Sequence, residues 1–145
     1  MLLDDDQTYI CQQQARLFKY AVEHGANVYT FANDFLSCRF CERAIDVPYS
    51  VHQYDPIVYW VDHMAPECVI REEPADDFLS NEWIVAEWMG YMYRFLTYQT
   101  GKSSKEILAA VPPRLLARMS CSYGEQAYMF AAEEICERCG LTIRA

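Results

Sequence analysis

The fold of this chain is decided by residues 83–100, which read WIVAEWMGYMYRFLTYQT. The run is apolar on nearly every side of a helix, and a helix of that kind is normally buried. Gly101 follows it, at the position where a left-handed residue commonly ends a helix. We therefore predict a central helix over about 80–99. Four of its large side chains are expected in the core: Trp83, Trp88, Phe95 and Leu96.

Capping residues and prolines divide the remainder into shorter helices. The carboxylates of 4–6 suit the start of a first helix, which ends at Gly25, and Asn27 caps a second helix that stops before Val47-Pro48. Four more helix starts are indicated by Asp55-Pro56, by a capping box from Ser103 to Glu106, by Pro112-Pro113, and by a capping box of Ser122 with Glu125. Because no segment alternates with a period of two, we predict an all-α, single-domain bundle of six to seven helices over 1–145.

Charge is distributed unevenly along the chain. The formal net charge is −9, and residues 1–80 account for all of it. Residues 65–77 lack helical periodicity and are expected to form the longest loop, on the acidic face. An acidic surface repels phosphate backbones, so direct nucleic-acid binding is not expected. Solubility alone also explains such a charge.

The compartment is inferred from the start of the chain and from its longest apolar run. A signal peptide has a basic segment followed by an apolar one. The first residues, Met-Leu-Leu-Asp-Asp-Asp, do not show this pattern. The run 83–98 is interrupted by Glu87 and Arg94 and is short for a membrane span. We therefore expect a cytoplasmic protein without membrane attachment, in which the seven cysteines stay reduced.

Two CxxC pairs leave a structural metal open as an alternative. They are Cys38 with Cys41 and Cys136 with Cys139, and four thiolates suit tetrahedral zinc. Both pairs fall in or at the end of predicted helices, where cysteine commonly serves as a small buried hydrophobe. We expect no disulfide, no cofactor and no metal, and a zinc-stabilised helical module remains the alternative.

No catalytic motif is present, so a non-enzymatic protein is expected. The three histidines have no metalloprotease spacing. One hypothesis is that Asp62 orients His63 as a base for a cysteine nucleophile such as Cys68, but adjacent residues of a helix point about 100° apart. A cysteine-dependent enzyme is therefore disfavoured.

The central helix carries one polar stripe, formed by Glu87, Tyr91, Arg94 and Tyr98 at helical spacing. If the stripe is exposed, Tyr91, Arg94 and Tyr98 are suitable for binding a protein partner. If it is buried, Arg94 is a structural cation paired with a carboxylate, with Glu87 as the candidate. The buried alternative is favoured because the helix is so apolar.

A second candidate surface lies around the Asp55-Pro56 turn. This short segment carries three large rings, Tyr49, Tyr54 and Tyr59, which is more than it needs for packing. Tyrosine supplies rigid contact area in interfaces. Acids of the 65–77 loop would steer a basic partner: Glu72, Glu73, Asp76 and Asp77. The competing interpretation is that the tyrosines pack the short helix onto the bundle.

One resemblance to known proteins lies in the run 82–107, from Glu-Trp-Ile-Val-Ala-Glu-Trp-Met-Gly-Tyr to Thr-Gly-Lys-Ser-Ser-Lys-Glu-Ile. This run resembles a stretch found in a group of uncharacterised small bacterial proteins. These are encoded beside predicted toxin or mobile-element genes, and the likeness extends over roughly 88–127. The resemblance implies an antitoxin-like role, the neutralisation of a partner protein. The alternative is an anti-CRISPR-like inhibitor of a nucleic-acid enzyme, in which acidic groups mimic phosphates.

Overall fold

The computed structural model describes residues 2–123 and 128–144. It is all-helical over those residues, as predicted, with seven α-helices, one π-helical turn and one 3₁₀ turn. The α-helices are α1 Asp5–Glu23, α2 Val28–Ser37, α3 Ile57–Met64, α4 Trp83–Thr100, α5 Ser104–Ala110, α6 Pro113–Ser120 and α7 Tyr128–Cys139. The π-helical turn is Cys41–Ile45 and the 3₁₀ turn is Val51–Tyr54.

Helix α4 is the centre of the bundle, as the sequence predicts. It packs most extensively against α1 and also contacts α5, α6 and α7. Thirteen of its residues are buried, and Gly101 ends it in the left-handed conformation with a φ of 74°. Trp88, Phe95 and Leu96 are in the core, but Trp83 is 43% exposed. The prediction that Trp83 is buried is therefore wrong, because it occupies the first turn, where the helix begins at the rim of the bundle.

Several caps form as predicted. Asn27 accepts a hydrogen bond from the Tyr29 amide at 2.9 Å, and Ser103 with Glu106 forms a reciprocal capping box. The predicted box of Ser122 with Glu125 lies outside the described residues.

Helix α2 is shorter than predicted. It ends at Ser37 instead of continuing towards Pro48, because Cys38 is extended with a ψ of 159°. The chain resumes as the π-helical turn, so Cys38 and Cys41 do not lie on one helix as expected. Helix α3 also begins one residue later than predicted, since Pro56 occupies the cap position and Asp55 ends the 3₁₀ turn.

Gly90 is the point of closest approach between α1 and α4. A Cβ atom there would lie 2.6 Å from the carbonyl oxygen of Gln14 and 2.9 Å from Cγ of Phe18. The side-chain Nε2 of Gln14 also donates to the Gly90 carbonyl oxygen at 2.9 Å. Glycine at this position therefore sets the distance between the two largest helices.

Gly90→Ala should destabilise the protein by about 1–3 kcal/mol, the usual cost of overpacking a core. This reverses the gain of up to about 1 kcal/mol that alanine normally brings to a helix. The measurement is the free energy of unfolding in urea. Ala109→Gly, at an exposed position of α5, is the control and should lose about 1 kcal/mol or less. A more stable Gly90→Ala variant would contradict the close packing of α1 on α4.

Candidate functional site

A buried cation lies at the centre of the bundle. Arg94 is 1% exposed, and its Nη1 donates to Oδ1 of Asp46 at 2.7 Å. Its Nε donates to Oε1 of Gln14 at 3.0 Å, and its Nη2 donates to Oγ of Ser104 at 2.9 Å. The buried interpretation of the stripe is thus correct for Arg94. Its carboxylate partner is Asp46, however, and not Glu87 as suggested from spacing.

Asp46 is fixed from a second direction by the start of α5. The Ser104 amide donates to its Oδ2 at 3.0 Å, and the Ser104 hydroxyl donates to its Oδ1 at 2.6 Å. The thiol of Cys41 in turn donates to Ser104 Oγ at 3.3 Å. The guanidinium of Arg94 and the carboxylate of Asp46 therefore join α1, α4, α5 and the π-helical turn, and their role is structural.

A cleft of about 440 Å³ opens above this cluster, between the start of α1, the chain from 45 to 54 and the end of α4. Four of the side chains selected from sequence meet at it: Tyr49, Tyr54, Arg94 and Tyr98. Burial raises the pKa of Tyr98, so its hydroxyl stays protonated. Basic Lys102 and Arg144 and acidic Asp4 and Asp6 line the same opening, so its charge is mixed.

The chain beside this cleft exposes an unusual amount of apolar surface, which we call the exposed 49–59 segment. Five large side chains in it are exposed: Tyr49, Val51, Tyr54, Val58 and Tyr59. The rings of Tyr49 and Tyr54 lie 6.2 Å apart, and Tyr54 stacks on Tyr9 at 6.0 Å. Partial burial and a hydrogen bond with Asp6 raise the pKa of Tyr54. These rings are therefore held in place at the surface instead of packing into the core.

The acidic loop is largely engaged in ion pairs. Arg114 lies 2.6 Å from Asp76 and 3.4 Å from Asp77, and its guanidinium stacks 4.6 Å from the centre of the Tyr29 ring. The Tyr29 hydroxyl donates to Asp77 at 2.8 Å and helps to keep the pKa of that carboxyl below its usual range. Glu73 pairs with Arg71 at 3.4 Å. These pairs weaken the field that the loop presents to a partner.

The remaining candidates lie apart from the cleft. Glu72 is exposed and its side chain packs beside Gly25. Tyr91 stacks on Tyr128 at 4.0 Å and lines a different groove with Leu3 and Met129. Tyr91 is therefore separated from Arg94 and Tyr98, although all three share one helix.

All seven cysteines are free thiols. Burial raises the pKa of both Cys41 and Cys68 to about 12, so these thiols are protonated at neutral pH and are poor nucleophiles. This weighs against the enzyme hypothesis built on His63 and Cys68. Burial also raises the pKa of Cys38 and Cys136, and the two CxxC pairs do not form a joint ligand cluster in the described ranges.

One cluster of metal-ligating residues was missed by sequence reasoning. Within residues 2–123 and 128–144, the only grouping of three or more such side chains is His52, Asp55 and His63. Sequence spacing could have indicated part of this cluster. His52 and Asp55 are three residues apart, and residues i and i+3 share a face of a 3₁₀ turn. The approach of His63 depends on how α3 folds back against that turn, which the sequence does not reveal.

Comparison with protein-family models, curated proteins and solved structures found no match to this chain. Among the described residues, no helix has the length and apolar character needed to span a membrane.

Proposed function

We propose that this protein is a non-enzymatic, antitoxin-like protein that neutralises a partner protein through the exposed 49–59 segment. The supporting observation is the exposure of its rings, 68% for Tyr49, 41% for Tyr54 and 52% for Tyr59. Large exposed apolar groups concentrated in one segment mark interaction sites, and tyrosine is enriched among the residues that dominate binding energy. The same exposure weighs against the interpretation in which these rings merely pack α3 onto the bundle.

The partner surface should be basic at its edge and apolar at its centre. Asp4, Asp5 and Asp6 are exposed at the start of α1, and Asp6 bonds Tyr54. A net charge of −9 favours association with a cationic protein, mainly through the on-rate. Tyr49 and Tyr54 would then supply most of the retained affinity.

A nucleic-acid enzyme is the second candidate partner, because its basic substrate groove would attract this acidic protein. Of the acids named above, Glu72 and the exposed 4–6 run have no arginine partner in the described part of the chain and remain for phosphate mimicry, whereas Asp76 and Asp77 bind Arg114. Binding by phosphate mimicry should weaken steeply as salt is raised. Binding through aromatic contacts should respond only slightly.

The test places a photo-cross-linking aromatic residue at Tyr49 in cells that express the chain with its neighbouring genes. Phe130 is the matched control position, because it is 69% exposed on a different helix, α7. We expect one protein to be cross-linked from position 49 and not from 130. Adducts that are equal at the two positions, or absent from both, would contradict the proposal.

The purified pair then separates the roles of rings and acids. Tyr59→Ala should accelerate dissociation without lowering the melting temperature. Tyr54→Ala should accelerate dissociation by more than the small loss of stability from its contacts with Tyr9 and Asp6 explains. Neutralising Glu72, Glu73, Asp76 and Asp77 should slow association and flatten its salt dependence by a modest amount, because three of the four pair with Arg71 or Arg114. If binding falls only in proportion to lost thermal stability, the tyrosines serve packing and the assigned contact surface is wrong.

A further inference from the structure

We propose that His52, Asp55 and His63 form a binding site for one divalent transition-metal ion of the zinc class. Their ligand atoms all lie within 4.8 Å of one another. Two imidazoles and one carboxylate are a donor set suited to zinc and similar ions. This inference goes beyond the partner-binding function and does not depend on it.

The distances fit direct ligation after a small adjustment. Ligand atoms about 2.0–2.1 Å from a tetrahedral zinc lie about 3.3 Å from each other. His52 Nδ1 and Asp55 Oδ2 are 3.1 Å apart and share a hydrogen bond, which the ion would replace as the Nδ1 proton leaves. The third donor belongs to exposed His63, whose ring can approach by rotating about its side-chain bonds.

The backbone carrying two of the ligands is held by hydrogen bonds from side chains outside the 3₁₀ turn. Nε1 of buried Trp60 donates to the His52 carbonyl oxygen at 2.7 Å. Nε2 of buried Gln13 donates to the Asp55 carbonyl oxygen at 2.6 Å. Little backbone ordering is therefore needed when the metal binds, and such preorganisation favours affinity.

An aromatic wall supports the two imidazoles. The Phe40 ring stacks on His63 at 5.8 Å and meets His52 edge-on at 6.1 Å. The two histidine rings are 4.7 Å apart. The wall limits water on one side of the site and leaves the other side open, so we assign three protein ligands and one water molecule.

A metal here would join the 3₁₀ turn to α3, since His52 belongs to the first and His63 to the second. Both lie in or next to the exposed 49–59 segment. The ion would therefore stabilise the segment that presents Tyr54 and Tyr59.

The test is a zinc titration of the full chain in competition with a chromophoric chelator, repeated with cobalt to read the ligand type from its absorption. We expect one ion per chain and a cobalt spectrum without the charge-transfer band of thiolate ligation. His52→Ala and His63→Ala should each weaken binding by about 100-fold or more, since loss of outer-shell contacts alone costs roughly 10–100-fold. Zinc should also raise the melting temperature of the wild type and not that of His63→Ala.

Two controls make the result decisive. His24→Ala removes an exposed histidine outside the cluster, and Cys136→Ser/Cys139→Ser removes the more accessible CxxC pair. Both should keep wild-type affinity. The proposal is overturned if zinc does not bind, if His63→Ala binds as well as the wild type, or if the cysteine variant alone loses the metal. Because these readouts need no partner protein, their failure leaves the proposed function untouched.

Discussion

Asp46→Ala is expected to destabilise the protein by about 3–5 kcal/mol, the cost of leaving a buried charge without its partner. Arg94 remains enclosed by α1 and α5 in that variant, and its Nη1 loses the 2.7 Å bond to the carboxylate. Ser104 loses two hydrogen bonds at the same time. A loss of this size is a large share of the 5–15 kcal/mol that typically stabilises a domain.

The measurement is urea unfolding of Asp46→Ala, Arg94→Met and the double variant. The double variant should recover much of the loss, because replacing both members of a buried ion pair removes the uncompensated charge. Lys105→Ala is the surface control, since Lys105 pairs with Glu42 at 3.2 Å with both side chains more than half exposed. It should cost less than about 1 kcal/mol. An Asp46→Ala variant as stable as Lys105→Ala would show that the pair is hydrated instead of buried.

Sequence reasoning succeeded wherever the signal was local. The Asn27 cap, the Ser103–Glu106 capping box and the left-handed Gly101 each depend on backbone and side chains within four residues. Such interactions have nearly the same geometry in any helical protein. The all-α class follows from the lack of period-two alternation, and the central position of α4 follows from its apolar character on nearly every side.

The errors fall where a tertiary contact decides. Glu87 is two turns from Arg94 and was the natural partner by spacing, but Asp46 is 48 residues away. It reaches Arg94 because α2 ends at Ser37 and the π-helical turn redirects the chain. No local rule places that break, since Cys38 ends the helix without proline or glycine.

The candidate site was predicted in part. The density of tyrosines in this segment predicts Tyr49 and Tyr54 as surface residues, and the structure places both at the surface beside the same cleft. Spacing did not bring His63 to His52, because a 3₁₀ turn and a helix meet there at an angle that only packing sets. The charge of the loop was overstated, since pairing with Arg114 cannot be read from composition.

Trp88→Ala should cost about 3–5 kcal/mol, the range for removing a large aromatic side chain from a core. Trp88 is 6% exposed, whereas Trp83, one turn and a half earlier on α4, is 43% exposed. Trp83 contacts the ammonium of Lys19 at 4.6 Å, and an exposed cation–π contact contributes only about 0.5–1 kcal/mol. The two substitutions delete the same atoms from one helix, so the difference between them measures burial.

Urea unfolding of Trp83→Ala and Trp88→Ala is the comparison, with Trp88→Phe as a third variant that keeps most of the ring volume. Nε1 of Trp88 is buried and has no hydrogen-bond partner in the described part of the chain, so phenylalanine should lose packing alone and cost less than alanine. From the most to the least stable, the expected order of the variants is Trp83→Ala, Trp88→Phe and Trp88→Ala. Equal losses for the two alanine variants, or an unchanged melting temperature for Trp88→Ala, would mean that α4 is not the buried centre of the bundle.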